Sequence, residues 1–168
     1  VFRKHPDIFI ISDEIYEYIN YTGRHESIAQ FEELRNRVVL INGMAKGFSM
    51  TGWRIGYMAA PRELVQACEK LQGQVTSGTN SIAQRASVAA LCEDLAPTHK
   101  MVEAFRQRRD YVIGALKKMP GIKSNNPLGA FYAFPDISSF FGKKNGEHTI
   151  NNDSDMSMYL LHEAHVAT

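Results

Sequence analysis

Several signals are missing from this chain, and each absence removes a class of function. No apolar stretch approaches the ~20 residues that a membrane-spanning helix needs, and no segment reads as a signal peptide. Cysteine is scarce. Only Cys68 and Cys92 occur, isolated in helix-like segments, which excludes a disulfide framework and leads us to expect reduced, buried thiols in a cytoplasmic protein. Neither sign of charge dominates: the net charge is +1 with signs mixed, so nothing points to nucleic acid or a membrane surface as partner. Internal repeats and low-complexity tracts are lacking. His162 and His165 share a helix face without a third ligand, so no metal site is expected. The turn from Gly43 to Gly47 lacks the spacing of a phosphate-binding P-loop, and Lys143-Lys144 reads as a solvated loop.

What is present is an alternation of apolar runs and amphipathic segments. The 168 residues are 44% hydrophobic, enough to bury a core. Ile8 to Asp13 is a continuous apolar run, as expected for a strand buried on both faces of a parallel sheet. Val38 to Ile41 and Arg54 to Ala59 are two more. Between the first two, the chain turns helical around Phe31 to Leu34. Pro61 to Gln72 reads as a helix with Leu64, Val65, Cys68 and Leu71 on one face, Ser81 to Leu95 as a second, and Thr98 to Lys118 as a long third one after an interruption at Pro97. Ile122 to Pro135 reads as a hairpin, Gly142 to Asp155 as a polar loop and Met156 to Ala164 as a last helix. Strands alternating with helices make an α/β fold. A domain boundary is expected near Met119, dividing the chain into 1–118 and 119–168.

Both ends look cut. Val1 falls in what reads as the end of a helix (Val1 to His5), and Val166 to Thr168 reads as the start of a strand. The chain is therefore expected to be a piece of a longer protein.

The chemistry gathers at two strand ends. In open α/β sheets ligands bind at the carboxyl ends of strands. Asp13 ends the first apolar run and Tyr16 follows it. Lys46 stands in the small-residue turn after the second run, and Arg54 follows between Gly52 and Gly56. A lysine amine can attack a carbonyl to form an imine. Pyridoxal 5'-phosphate offers an aldehyde, a ring nitrogen that needs an adjacent carboxylate, a phenolic oxygen that needs a donor, and a phosphate that suits a planar cation. Lys46, Asp13, Tyr16 and Arg54 match those needs in turn. Taken singly, each has an ordinary reading: a strand-end aspartate caps a turn, a lysine in a glycine-bounded turn is solvated, Arg54 stacks on Trp53, and Tyr16 is a half-buried packing residue. The combination in one order is what points to the cofactor.

Ser12-Asp13-Glu14-Ile15-Tyr16-Glu17 and Asn42 through Tyr57 resemble the class I and II aminotransferases of pyridoxal-phosphate fold type I, most nearly the bacterial aspartate branch. Thr76-Ser77-Gly78, Ser81 to Gln84 and Gly129 to Tyr132 also match that family. The resemblance implies part of a large domain, a mostly parallel sheet with flanking helices, followed by the start of a small α/β domain. It implies that Lys46 is the catalytic residue, carrying the cofactor and then moving the proton, while Asp13 pairs with the ring nitrogen, Tyr16 with the ring hydroxyl and Arg54 with the phosphate.

Two departures matter. Many relatives carry a phosphate-binding serine where this chain has Gly43. Some aspartate enzymes have a substrate-gripping arginine just before the Thr76 loop, where this chain has Gln72, Gly73 and Gln74. The family's phosphate loop, ring-stacking aromatic and ring-hydroxyl asparagine lie upstream of Asp13, and its substrate α-carboxylate arginine lies beyond Thr168. The chain thus corresponds to the middle-to-late part of an enzyme of roughly 400 residues, a size that two domains accommodate. The resemblance implies transamination of an amino acid, with aspartate expected, against 2-oxoglutarate by a cytoplasmic homodimer. The chain by itself is expected to be inactive. A fold-type I carbon–sulfur lyase is the alternative, since electron withdrawal by the ring serves both chemistries. A nucleotide-binding α/β module is a third reading.

Overall fold

Three of the apolar runs pair into one sheet. In the computed structural model, which describes residues 1–168, β1 (Ile10–Asp13) lies parallel to β2 (Val38–Gly43), and β3 (Gly56–Ala59) runs antiparallel along the other edge of β2. No helix crosses over between β2 and β3. The chain turns back through residues 44–55, and a direct return of that kind is antiparallel. Asp13 sits opposite Ile41, so β1 ends beside β2, which continues two residues further to Gly43.

The core beneath the sheet is Ile10, Leu34 and Val38, with Ile28 and Leu40 packed against it. Successive strand residues face opposite ways, and only the Ile10 face meets the segment from Ile28 to Leu40. Ile11, on the other face, is 74% exposed, so β1 is not covered on both faces within this chain as its apolar run suggested. Arg37 fixes the approach to β1 by donating to the carbonyls of Phe2, His5 and Ile8 at 2.7–2.9 Å.

The helices are α1 (Arg62–Val75), α2 (Ser81–Cys92), α3 (Ala96–Leu116) and α4 (Asp153–Glu163). The side chain of Asn80 caps α2 by accepting from the N–H groups of Ile82 and Ala83. Pro97 stands inside the first turn of α3, where its missing N–H has no helical partner to lose. It therefore opens that helix instead of interrupting one. Cys68 and Cys92 are both exposed, which corrects the expectation of buried thiols. Their helices turn apolar side chains such as Leu71, Val75 and Leu91 outward as well.

By packing, residues 1–104 with 128–130 form one unit and residues 105–127 with 131–168 another. In the second, Phe105 stacks on Phe131 at 5.1 Å between centroids, and Ser139 donates to the carbonyl of Gly121. The hairpin expected over 122–135 is reduced to one bridge, Lys123 with Asp136. The backbone of 128–130 is engaged elsewhere: Leu128 accepts from Tyr21, and Ala130 donates to Ile19. Two short strands, β4 (Lys144–Asn145) and β5 (His148–Thr149), arise instead within the expected polar loop, where Gly146 adopts a φ of 58°. No strand forms at Val166 to Thr168. The Val166 N–H closes onto Leu160 at the end of α4.

Two contacts hold the strand ends where the chemistry gathers. The first is a glycine pair. Gly43 faces Gly56 across β2 and β3, and a Cβ on Gly43 would lie 2.9 Å from the Gly56 Cα and 3.0 Å from the Ile55 oxygen. These are backbone atoms and cannot turn aside. The second is Glu14, a buried carboxylate next to Asp13. It accepts from Ser12 (3.0 Å), Ser27 (2.9 Å), His25 Nε2 (2.7 Å) and the Ile28 N–H (3.3 Å). Burial pushes the Glu14 pKa up, but the hydrogen bonds from His25, Ser27, Ser12 and Ile28 together outweigh it and leave the group below its ordinary value.

Both contacts are open to measurement. Gly43→Ala in the complete protein should lower stability by about 1–3 kcal/mol, read from denaturant unfolding. An unchanged midpoint would show that the two strands separate freely. The folded pKa of Glu14 lies below the unfolded one, so its contribution is present above the ordinary carboxylate range and is lost as pH falls through the folded value. Glu14→Gln should therefore be less stable than the parent at pH 7 and show a flatter loss of stability between about pH 5 and 3. Parallel curves for the two proteins would refute the role given to this carboxylate.

Candidate active site

The site is built from the two turns that leave β1 and β2. The first turn is closed by the Glu17 N–H on the Glu14 carbonyl and by the Ile19 N–H on that of Tyr16, both at 2.9 Å. The second is closed by the Ser49 N–H on the Lys46 carbonyl at 3.2 Å and by the Met50 N–H on that of Met44 at 3.3 Å. Tyr18 joins them. Its ring meets Phe48 edge-on at 4.9 Å, and it lies so close to Gly47 that a Cβ there would meet the tyrosine at 2.9 Å. The buried Asn42 adds a link from β2 by donating to Glu17 Oε2 at 2.8 Å.

Packing the turns this way brings Lys46 to Tyr16. The ammonium Nζ lies 5.8 Å from the centroid of the tyrosine ring, and both side chains are half-buried. The turn after Lys46 is also tied to α3, because the buried hydroxyl of Thr98 near the start of that helix donates to the Gly47 carbonyl at 3.0 Å. Asp13 is exposed at the end of β1. Its Oδ1 accepts from the Ile15 N–H at 3.1 Å. Asp13 and Tyr16 open onto one cavity of about 470 Å³, shared with His25, Asn20 and Ala130.

Arg54 lies on a second cavity, of about 750 Å³, together with Trp53, Ser49, Gln72, Thr79 and Asn80. One guanidinium nitrogen donates to the Thr51 carbonyl at 2.8 Å. Of the four residues singled out from the sequence, the structure brings Lys46 to Tyr16, opens Asp13 and Tyr16 onto one cavity, and sets Arg54 beside the loop before α2. Its backbone is left-handed at φ 51°, and Ser49, Ser77 and Ala130 near these cavities share that conformation at φ 56–63°. For residues with a side chain such a conformation costs on the order of 1–3 kcal/mol, and it clusters where function holds it in place.

Burial raises the pKa of Tyr18 and Tyr57, and the nearby Glu17 carboxylate raises both further. Both phenols therefore keep their protons as hydrogen-bond donors across the neutral range.

Four residues beside the site escaped the sequence reading: Glu14, His25, Asn42 and Thr98. Asn42 carried a signal, since it is a polar residue at the end of a run that otherwise reads as a buried strand. Thr98 and His25 carried none, because their partners are distant in the chain.

The whole chain, residues 1–168, matches the family model for aminotransferase class I and II. It is 44% identical over 172 residues to a bifunctional aspartate aminotransferase and glutamate/aspartate-prephenate aminotransferase of Petunia hybrida, covering 99% of this chain and 36% of that protein. The crystal structure of the aspartate aminotransferase from Rhizobium meliloti superposes with a TM-score of 0.90 at 41% identity, covering 98% of this chain and 42% of that one. An aromatic aminotransferase from Pyrococcus horikoshii superposes at 0.85 with 32% identity, over 99% of this chain and 43% of its own. The chain therefore spans about two fifths of the relatives it matches, and its architecture is that of part of the fold-type I large domain. With strand ends, turns and family model in agreement along its full length, the chain belongs to the class I and II aminotransferases.

Proposed function

We propose that the complete protein is a pyridoxal 5'-phosphate-dependent aminotransferase acting on aspartate and 2-oxoglutarate, with Lys46 as its catalytic residue. The observation that carries this reading is the convergence of Lys46 on Tyr16 beside Asp13, in a chain that matches the family from end to end.

The donor chemistry fits the cofactor. Asp13 is an exposed carboxylate at a strand end, Tyr16 a phenol, Lys46 an amine and Arg54 an exposed planar cation next to a cavity. When bound, pyridoxal 5'-phosphate supplies an electron-withdrawing ring that stabilises negative charge at the substrate α-carbon. Asp13 keeps the ring nitrogen protonated by offering it a carboxylate. Tyr16 donates its O–H to the ring oxygen. Arg54 would hold the phosphate with its guanidinium. Lys46 would hold the cofactor through its aldehyde and would serve as the base that moves the proton at the substrate α-carbon. The half-buried position of Lys46 and the tie from Thr98 to Gly47 fix the place from which its side chain leaves the backbone.

Aspartate as substrate is supported by the names of the Petunia and Rhizobium relatives. The fold alone does not decide this point, because the Pyrococcus structure of the same architecture is named for aromatic substrates. A homodimer belongs to the same proposal and is supported by the match to the family. No helix is long and apolar enough to cross a membrane. A cytoplasmic location belongs to the same proposal and is supported by the two free cysteines. The division of the complete protein near Met119 into a large and a small domain is proposed with it.

Three measurements on the complete protein test this reading. Lys46→Ala should abolish the absorbance of the bound aldehyde and lower transamination by about 10²- to 10⁴-fold or more. Retention of both would refute the assignment. Arg54→Lys should weaken cofactor binding by about ten-fold, because an ammonium cannot make the paired contacts of a guanidinium. Equal affinities would remove Arg54 from the phosphate site. Supplying aspartate and 2-oxoglutarate should yield glutamate, whereas release of pyruvate and ammonia from a sulfur-containing amino acid, without amino transfer, would favour lyase chemistry.

A further inference from the structure

Glu14 is anchored twice. Its N–H donates to the Ile41 carbonyl at 2.8 Å and continues the pairing of β1 with β2 by one residue. Its carboxylate reaches the other way and gathers Ser27, His25 and the Ile28 N–H from the loop that follows the first turn. Its carbonyl then accepts from Glu17 and starts the turn that carries Tyr16. Asp13 is the residue before it. One buried side chain therefore sets the direction in which the main chain leaves β1, and with it the aim of both Asp13 and Tyr16. A carboxylate only accepts hydrogen bonds, so the His25 nitrogen that meets Oε2 at 2.7 Å must carry the proton. His25 lines the same cavity as Asp13 and Tyr16.

We propose that Glu14 and His25 are positioning residues that hold Asp13 and Tyr16 against the cofactor ring. The proposal rests on the reading of the site given above. Neither residue touches the reacting atoms. The pair acts through the turn, and its effect falls on how tightly the ring is held and on the protonation it keeps. The donor that His25 supplies is the essential feature, and a side chain of similar reach with an N–H can replace it.

The test uses the complete protein and its Glu14→Gln, His25→Ala and His25→Gln variants. Each is titrated with pyridoxal 5'-phosphate, and affinity, absorbance as a function of pH and the thermal midpoint without cofactor are recorded. Glu14→Gln and His25→Ala should bind the cofactor about ten-fold more weakly and shift the pH at which its absorbance changes. His25→Gln, which keeps a donor, should return both towards the parent. Unchanged affinity and an unchanged absorbance profile in His25→Ala, even with a lower thermal midpoint, would overturn the proposal and leave the network a purely structural one. The proposal also fails if His25→Gln is as impaired as His25→Ala. Should Glu14→Gln fail to fold, the partly exposed His25 still decides the matter. A parent protein that takes up no cofactor overturns the reading of the site itself, and this inference with it.

Discussion

The parallel register of β1 and β2 is the constraint on which the remaining geometry depends. With Asp13 opposite Ile41, β1 ends two residues before β2 does, and the turns that follow leave the same end of the sheet. A slip by one residue would reverse the facing of every side chain on β1. Ile10 would then leave the core formed with Leu34 and Val38, so burial resists the slip. The apolar contacts of the sheet thereby control the placement of polar groups several residues away, although none of those groups touches the core.

Past the strand ends, absence of bulk does what hydrogen bonding does elsewhere. Gly43 lets β3 close on β2, and Gly47 lets Tyr18 lie across the second turn. Both glycines flank Lys46 and have negative φ, so neither is there for backbone freedom. They are there because any side chain would push two segments apart. The lysine turn is thus compressed from two sides, closed by its own hydrogen bonds and tied to α3 by Thr98. For the base proposed at Lys46 such a support matters, since rate depends steeply on where the reacting nitrogen sits.

Much of this was legible in the residues. The apolar runs before Asp13 and Gly43 marked the strands, and the amphipathic spacing of Leu64 and Val65 marked α1. The position of Lys46 after the second strand followed from the same pattern, whereas Arg54, read as the first residue of the third strand, lies before it in a left-handed conformation. Other features were not legible, for physical reasons. The run from Gly129 to Phe134 has strand-like composition, but its partners Ile19 and Tyr21 lie far back in the chain, and backbone pairing at that range leaves no local periodicity. The helical cysteines looked buried because their neighbours are apolar. Composition reports that a face is suited to burial and does not report what covers it. Gly43 read as a missing serine, whereas its meaning lay across the sheet in Gly56.

The Glu14 contacts also bear on the order in which the chain can organise itself. The stretch from Asp13 to Val38 must be closed before β1 and β2 can pair. When the Glu14 carboxylate takes hold of His25, Ser27 and Ile28, that stretch becomes two shorter loops. Each halving of a flexible loop lowers its closure cost by about 0.6 kcal/mol. The same carboxylate that aims a turn in the finished protein thereby shortens the loop that separates β1 from β2.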